Sequence, residues 1–143
     1  MSGTNLDGIA LVTGAGSGIA RETAYQLGAL GAYVAVADIN ADTVAATAST
    51  IRANGGQATA YTLDVSDRSA VDDTVLNIEK NLGPINYLVN LAGSFATAPL
   101  SDISDDLWAQ TIAVHLNGSF YICRAVVPSM ASRGQGAVVN TSS

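Results

Sequence analysis

The chain has 143 residues, 48% hydrophobic and 13% charged, so it is neither a disordered segment nor a charged tail. Its net charge of −6, with six Lys and Arg residues, argues against nucleic-acid binding because no basic patch could neutralise a phosphate backbone. This length suits a single domain, and one cysteine allows no intrachain disulfide and fits a reducing compartment.

The sequence contains no recognisable targeting or membrane-spanning segment. Residues 1–8 carry neither a basic region nor an apolar run, so no signal peptide is predicted. No run of 18 apolar residues occurs, which argues against a membrane span. We therefore expect a cytoplasmic protein that binds neither nucleic acid nor membrane.

Short apolar runs alternate along the chain with segments of helical periodicity. The runs are continuous and not interrupted by alternating polar residues, which is typical of strands buried on both faces of a parallel sheet. They span residues 9–12, 33–37, 58–63, 87–89 and 137–139.

Apolar residues between these runs recur at helical spacing and predict four helices that cover the sheet. The four predicted stripes are Ile19, Thr23, Leu27 and Leu30; Val44, Ala48 and Ile51; Val71, Val75, Ile78 and Leu82; and Ile112, Leu116, Phe120, Cys123, Val127 and Met130. Gly31 and Gly134 are typical helix stops. Ser104, followed by two aspartates, is a predicted N-cap.

Five strands separated by helices predict an α/β fold with right-handed crossovers and helices on both faces of the sheet. We expect residues 1–143 to form one Rossmann-type, doubly wound domain with strand order 3-2-1-4-5. In such a sheet, ligands bind outside the carboxyl ends of the strands. The residues that directly follow each strand are therefore the candidates for a site.

A glycine-rich loop follows the first strand and leads into the first helix. Its sequence is TGAGSGIA at residues 13–20. Glycines allow a tight turn and a close approach of the backbone to a ligand. The free N–H groups at a helix start, with roughly +0.5 charge, favour a pyrophosphate. An ordinary strand-to-helix turn remains the alternative for this loop considered alone.

Polar or small residues follow the next three strands. Asp38 ends the second strand, 24 residues beyond Gly14. A carboxylate there accepts hydrogen bonds from an adenosine ribose and repels a 2′-phosphate, so NAD(H) is favoured over NADP(H). Asp64 and Val65 follow the third strand, where they would face an adenine ring, and residues 90–93 follow the fourth. Together these positions predict an adenine-dinucleotide site.

The sequence resembles the short-chain dehydrogenase/reductase family along essentially its whole length, and within it the 3-oxoacyl-(acyl carrier protein) reductase-like members. The motifs that carry the resemblance are TGAGSGIA at 13–20, Asp38, Asp64-Val65, LVNLAG at 88–93, VHLNGSF at 114–120 and VVNTSS at 138–143. The resemblance implies an NAD-dependent oxidoreductase that interconverts a small-molecule alcohol and a carbonyl. It does not identify the substrate.

The resemblance also implies roles for individual residues. The residues implied to hold the pyrophosphate are Gly14, Ser17, Gly18 and Ile19, with Asp38 on the ribose and Asp64 and Val65 on the adenine. Asn90, Ala92 and Gly93 are expected to line the cofactor cleft. Ser143 corresponds to the catalytic serine that binds the substrate oxygen. The outer face of the last helix is expected to join subunits into a homo-oligomer, a dimer or a tetramer.

Three positions depart from the family pattern. Ala20 replaces the last glycine of the loop, and Leu91 replaces the second Asn of the usual Asn-Asn-Ala-Gly motif. We expect Leu91 to cost about 1 kcal/mol unless its side chain repacks. His115 stands where the family has a catalytic Asn that holds a water in the proton relay. An imidazole there either takes part in the relay or bonds a nearby carbonyl.

The family's Tyr-x-x-x-Lys pair does not occur in these 143 residues, whose single lysine is Lys80. We therefore expect that the chain is the N-terminal part of a longer enzyme, that it is inactive alone, and that its fifth strand is an uncovered edge. Two alternatives remain. One is a non-catalytic dinucleotide-binding module, and the less favoured one is an S-adenosylmethionine-dependent methyltransferase with a G-x-G-x-G loop.

Overall fold

The computed structural model describes residues 5–142 and contains a parallel sheet with helices on both faces. The strands are β1 (Ile9–Thr13), β2 (Tyr33–Asp38), β3 (Gln57–Thr62), β4 (Ile85–Asn90) and β5 (Ala137–Asn140). The α-helices are α1 (Gly18–Ala29), α2 (Ala41–Ala53), α3 (Arg68–Asn81), α4 (Asp105–Ile112) and α5 (Gly118–Arg133). A 3₁₀ turn at Leu100–Asp102 precedes α4, and a π-helical turn at Ala113–Asn117 separates α4 from α5.

The five strands are ordered β3-β2-β1-β4-β5 and all pairs are parallel, which confirms the predicted topology. The chain moves outward from β1 to β3 and then crosses back to pair β4 with the other side of β1. The carboxyl ends of β1 and β4 therefore diverge into connections on opposite faces. This switch point is where an open α/β sheet forms a ligand crevice.

β1 is buried along its whole length and separates two apolar clusters, one on each face of the sheet. Leu11 belongs to the cluster that α3 and α5 cover, and Val12 belongs to the cluster under α1 and α2. Successive side chains of a strand point to opposite faces, so a continuous apolar run supplies both clusters. The rigid centre of the sheet thus carries the glycine-rich loop at its carboxyl end.

The predicted buried face of α1 is confirmed only at Leu27, which packs half-buried against the cluster. The residues of α1 that are buried are Ala20, Ala24 and Gly28, whereas Ile19 is 77% exposed. A Cβ on Gly28 would lie 2.7 Å from Cγ2 of Ile51, so α1 packs closely on α2. Small side chains allow that approach. Of the larger apolar residues in the predicted stripe, Leu27 is half-buried against the cluster under α1 and α2, while Ile19 and Leu30 are exposed.

The predicted stripe on the last helix is confirmed at Met130, which is buried, and at Cys123, which is half-buried against the same cluster, but it is wrong at Leu116 and Phe120. The buried face of α5 consists of Gly118, Ile122, Val126 and Met130, while Leu116 is 64% exposed and Phe120 is 57% exposed. A π-helical turn has wider i→i+5 hydrogen bonding and shifts the face of the residues that follow it. A helical period of 3.6 residues that is continued from α4 through the π-helical turn therefore predicts the wrong buried residues at the start of α5.

The predicted helix ends are confirmed. The Oγ of Ser104 accepts a hydrogen bond of 3.1 Å from the N–H of Leu107, which caps α4. Gly31 and Gly134 follow α1 and α5 with φ of 101° and 65°, a backbone region that favours glycine. The stripes on α2 and α3 are confirmed as well, because Val44, Ala48 and Ile51, and Val71, Val75 and Ile78, are buried.

All four residues of β5 are exposed, and its outer side lacks a neighbouring strand within residues 5–142. The side chain of Val139 is 56% exposed although it is apolar. The expected uncovered edge is therefore present, and its tendency to pair with another chain remains a prediction. Among the described residues, no helix is both long enough and apolar enough to cross a membrane.

Candidate functional site

A cavity of about 670 Å³ opens at the carboxyl ends of the strands. This volume lies within the ordinary range for small-molecule and cofactor sites, roughly 300–1,000 Å³. The residues that line it are Gly14, Ser17, Gly18, Ile19, Ala20, Asp38, Ile39, Leu63, Asp64, Val65, Leu91, Ala92, Gly93, Ser94, Gln110, Val114 and Thr141. Segments that follow all five strands contribute to its wall, as the fold requires.

The glycine-rich loop passes close to the end of β4. Gly14 has φ of +72°, and a Cβ there would lie 2.9 Å from Cα of Ala92. Only glycine fits both the backbone conformation and the space at this position. Gly18 also has a positive φ, of +55°, but a Cβ there would meet no atom within 4 Å. The constraint at Gly18 is thus on the backbone alone, at an open position on the cavity wall.

The N-terminus of α1 presents unsatisfied backbone N–H groups to the cavity. Ser17 is the N-cap residue, with φ of −157°, and its side chain makes no capping hydrogen bond. The first turn of α1 contains no acidic side chain. The positive end of the helix dipole is therefore free to bind an anion beside Gly18 and Ile19, which line the cavity. A pyrophosphate fits this arrangement.

Asp38 is held rigidly at the end of β2. Its Oδ2 accepts a hydrogen bond of 2.9 Å from the N–H of Gly16, and its Oδ1 accepts one of 2.9 Å from the N–H of Asn40. Each carboxylate oxygen retains acceptor capacity for a ligand hydroxyl. A Cβ on Gly16 would lie 2.8 Å from Cγ of Asp38, so this glycine is needed for the contact. Sequence reasoning missed Gly16, although its place within the glycine-rich loop was a signal.

Asp64 and Val65 form the neighbouring part of the wall. The Oδ1 of Asp64 accepts hydrogen bonds from the N–H and the Oγ of Ser66, at 2.9 Å and 2.7 Å. Val65 is buried against Gly118, where a Cβ would lie 2.8 Å from Cγ2 of Val65. The start of α5 therefore supports this wall, and the wall pairs a carboxylate with an apolar side chain.

Asn90 is not among the residues that line the cavity, and its place at the cofactor cleft remains a prediction. Thr13, Asn90 and Asn140 occupy one register across β1, β4 and β5, so their side chains share a face. Asn90 accepts from Thr13 Oγ1 at 3.2 Å and donates to Asn140 Oδ1 at 3.0 Å. The side-chain amide of Asn90 is therefore engaged in hydrogen bonds between neighbouring strands, which form a cross-strand ladder.

Thr13 connects this ladder to the cavity wall. Its Oγ1 accepts hydrogen bonds from the N–H groups of Leu91 and Ala92, at 3.2 Å and 3.1 Å. Leu91 packs against the apolar cluster under α1 and α2, so its side chain repacks in place of the family's Asn. Thr13 is completely buried and was not predicted as a site residue.

His115 lies in the π-helical turn, and its ring is not among the residues that line the cavity. Its Nε2 is 2.8 Å from the carbonyl oxygen of Ser94 and 3.1 Å from the Ser94 nitrogen. The ring therefore bonds a nearby backbone, as one of the two sequence-based alternatives describes. A part in a proton relay remains a prediction. Ser143 lies outside the described residues, although Thr141 in the same segment lines the cavity.

Other wall residues were not predicted. Ile39 and Ser94 follow strand ends, and that position was the available signal. Gln110 and Val114 come from α4 and the π-helical turn, which tertiary packing alone brings to the cavity. Tyr61 is not among the lining residues, and its burial, followed by the nearby Tyr33, raises the pKa of its phenol. That direction is opposite to the one a tyrosine base requires.

The fold and the glycine-rich loop together define a class of protein. A parallel sheet of order 3-2-1-4-5, with a glycine-rich turn at the β1 carboxyl end, is a Rossmann-type doubly wound domain. The chain belongs to the short chain dehydrogenase family, whose model matches residues 8–143. Membership implies NAD(P) as the class of cofactor.

Known relatives are similar over nearly all of this chain. A 2,3-dihydro-2,3-dihydroxybenzoate dehydrogenase of Bacillus subtilis is 35% identical over 144 residues, covering 100% of this chain and 55% of that protein. A gluconate 5-dehydrogenase of Gluconobacter oxydans is 38% identical, covering 92% and 51%. The crystal structure of a 3-ketoacyl-ACP reductase from Sinorhizobium meliloti superposes with a TM-score of 0.90 at 39% identity, covering 94% and 53%. The chain spans about half the length of the relatives it matches.

Proposed function

We propose that this chain is the dinucleotide-binding part of an NAD(H)-dependent oxidoreductase that interconverts an alcohol and a carbonyl. The observation that carries the proposal is the pair of hydrogen bonds that fixes Asp38 beside the uncapped N-terminus of α1. A cavity wall with a fixed carboxylate next to an anion site is complementary to a ribose next to a pyrophosphate.

The preference for NAD(H) over NADP(H) follows from the charge and surroundings of Asp38. A ribose 2′-hydroxyl donates to a carboxylate, whereas a 2′-phosphate is repelled by it. Ile39 and Asn40 follow Asp38 in sequence, so neither neighbour supplies a cation for a phosphate. Gly14, Ser17, Gly18 and Ile19 are proposed to bind the pyrophosphate, and Asp64 and Val65 the adenine.

A bound nicotinamide supplies or accepts the hydride in such a reaction. Ser143 is proposed to hydrogen-bond the oxygen of the reacting alcohol or carbonyl and so to stabilise its developing charge. Ala92 and Gly93 line the wall nearer β4 and are proposed to contact the cofactor. The proton-transfer pair of a Tyr and a following Lys is proposed to lie in residues beyond these 143, and the chain alone is proposed to be inactive.

The substrate is proposed to be a small carbonyl or alcohol compound, because the similar proteins are dehydrogenases and reductases of such compounds by name. The protein is proposed to be cytoplasmic and homo-oligomeric, as a dimer or a tetramer. The outer face of the π-helical turn and α5 supports the oligomer, since Leu116, Phe120 and Val127 are exposed there without apolar cover. Exposed apolar surface of this kind is typical of interfaces.

A non-catalytic dinucleotide-binding module is the second candidate. The two candidates share the cavity and the cofactor but differ in turnover. The open reading frame downstream of Ser143 separates them, because a Tyr-x-x-x-Lys within about thirty codons restores the expected enzyme.

The test of the proposed function is a titration of the purified chain with NADH and with NADPH, followed by nicotinamide fluorescence and calorimetry. We expect NADH to bind at least about tenfold more tightly, which corresponds to roughly 1.4 kcal/mol. Equal affinities for NADH and NADPH would contradict the proposed role of Asp38. Saturable binding of S-adenosylmethionine without binding of NADH would exclude the oxidoreductase and favour a methyltransferase.

A further inference from the structure

Gln110 reaches the cavity from a helix that lies outside the apolar core. α4 has no buried residue, and Gln110 is exposed, yet it belongs to the cavity lining. Val114, four positions later, also lines the cavity, and residues four apart lie on one face of a helix. One face of α4 and the π-helical turn therefore forms part of the wall, and it carries the amide of Gln110.

This face is held against the part of the wall that follows β3. Val114 packs against the apolar cluster that contains Val65, and Gly118, four positions beyond Val114, lies directly against the Val65 side chain. Asp64 and Val65 line the cavity as well. Gln110 therefore continues, one turn before Val114, a face that packs beside the proposed adenine site.

The amide of Gln110 differs chemically from the other polar groups of the wall. Among the described residues that line the cavity, Gln110 carries the only side-chain N–H groups. The other polar side chains of the lining are two carboxylates, which accept hydrogen bonds when ionised, and three hydroxyls. The hydroxyls lie in the segments that follow β1, β4 and β5. A ligand atom near the end of β3 that accepts a hydrogen bond therefore has Gln110 as its side-chain donor.

An adenine base needs partners of both kinds. Its N6 amino group donates hydrogen bonds, its neighbouring ring nitrogens accept them, and glutamine is a suitable partner for that edge. The Oδ1 of Asp64 accepts both hydrogen bonds from Ser66, and Oδ2 takes no part in them. Asp64 can therefore accept from the amino group, but a carboxylate offers nothing to the lone pair of a ring nitrogen. The amide of Gln110 supplies the missing donor.

We propose that Gln110 is a specificity-determining residue that donates a hydrogen bond to a ring nitrogen of the adenine, while Asp64 accepts from the amino group. The inference rests on the proposed function, because it takes the ligand to be an adenine dinucleotide. The contact is confined to the adenine half of that ligand. Gln110 therefore contributes by the same factor to the affinity for NADH and for adenosine monophosphate.

The experiment measures the dissociation constants of NADH and adenosine monophosphate by calorimetry, for the 143-residue chain and its variants. Gln110→Leu keeps a similar volume and removes the donor, so we expect both ligands to bind about threefold to tenfold more weakly, the effect of one lost hydrogen bond. Gln110→Glu accepts but does not donate when ionised, and it should lose at least as much affinity. Gln57→Leu is the matched control, because Gln57 is exposed at the first residue of β3 and is not among the cavity residues.

Failure of this inference and failure of the proposed function give different results. Unchanged affinity for both ligands in Gln110→Leu would overturn the contact while the proposed cofactor stands. Weaker binding of NADH alone would also overturn it, because the contact would then lie on the nicotinamide half. Retained affinity in Gln110→Glu would exclude a donor role. If the unsubstituted chain binds neither ligand, the proposed function is wrong and the contact is rejected with it.

Circular dichroism shows whether each variant is folded. If Gln110→Leu does not fold, nuclear magnetic resonance of the unsubstituted chain decides. Adenosine monophosphate should then shift the Nε2 signal of Gln110 and give a nuclear Overhauser effect between the Nε2 protons and a proton of the base. A Gln110 amide signal that does not respond to saturating ligand would contradict the contact.

Discussion

The Oδ2 of Asp38 and the backbone N–H of Gly16 are joined by a hydrogen bond of 2.9 Å. This bond connects the end of β2 to the glycine-rich loop, and it points the carboxylate along the cavity wall. It also explains why the loop carries a third glycine between Gly14 and Gly18, since a Cβ on Gly16 would lie 2.9 Å from the same Oδ2.

Gly16→Ala should therefore displace the Asp38 carboxylate and weaken NADH binding by about tenfold or more. The physical reason is steric, because the added methyl group would press against the Thr43 hydroxyl and would lie 2.8 Å from Cγ of Asp38. Isothermal titration of NADH into the variant and the unsubstituted chain checks this. Circular dichroism confirms that both are folded. Retained affinity would show that the bond does not matter for the ligand.

Asp38→Asn should lower the preference for NADH over NADPH by about tenfold. The neutral amide loses the charge that binds the ribose hydroxyls, and it no longer repels a 2′-phosphate. The ratio of the two dissociation constants is the measurement. Asp73→Asn is the matched control, since Asp73 is exposed on α3 and is not among the cavity residues. A preference equally reduced in the control would point to net charge instead.

Thr13→Val should lower the free energy of unfolding by about 2 kcal/mol. The substitution leaves the N–H groups of Leu91 and Ala92 and the Oδ1 of Asn90 without the buried Thr13 hydroxyl. Urea denaturation measures the change. Thr50→Val is the control, because the Thr50 hydroxyl bonds Ala46 on the exposed side of α2, and we expect less than about 0.5 kcal/mol there.

Ile122→Ala should lower the free energy of unfolding by about 3 kcal/mol, the ordinary cost of a large-to-small change in a core. Ile122 lies on the buried face of α5 that the observed π-helical turn selects. Leu76→Ala, at an exposed position of α3, should have little effect in the same denaturation series. A small effect of Ile122→Ala on the free energy of unfolding would contradict this buried face and would favour the stripe predicted from the sequence.

Phe120→Glu should shift the protein toward smaller species if the outer face of α5 joins subunits. A carboxylate at this exposed position is costly to desolvate in an apolar interface, and pairing with Arg124, which lies over the Phe120 ring, offsets only part of that cost. Light scattering coupled to size-exclusion chromatography measures the mass. Leu76→Glu on α3 is the matched surface control. The proposed interface is contradicted if the unsubstituted chain is a monomer. It is also contradicted if the Phe120→Glu variant forms an oligomer of unchanged mass.

The sequence determined the order of strands and helices, and with it the place of the site. The continuous apolar runs identified the buried strands, and the glycine-rich loop and Asp38 marked positions where parallel strands end. These signals are local, because strand periodicity, backbone conformation at glycine and helix capping depend on a few neighbouring residues. These signals can therefore be recognised in the sequence without knowledge of the packing.

Only the tertiary structure decided which helix faces are buried and what the polar groups near the site contact. Hydrophobicity favoured Ile19 for the core of α1, but the residues of α1 that are fully buried are small, and Ile19 lies at the cavity. Asn90 and His115 looked alike in sequence, as polar residues of family motifs. The cross-strand register places Asn90 in hydrogen bonds with Thr13 and Asn140. The π-helical turn places His115 in a hydrogen bond with the Ser94 backbone. Such pairings join residues far apart in the chain, so no local pattern contains them.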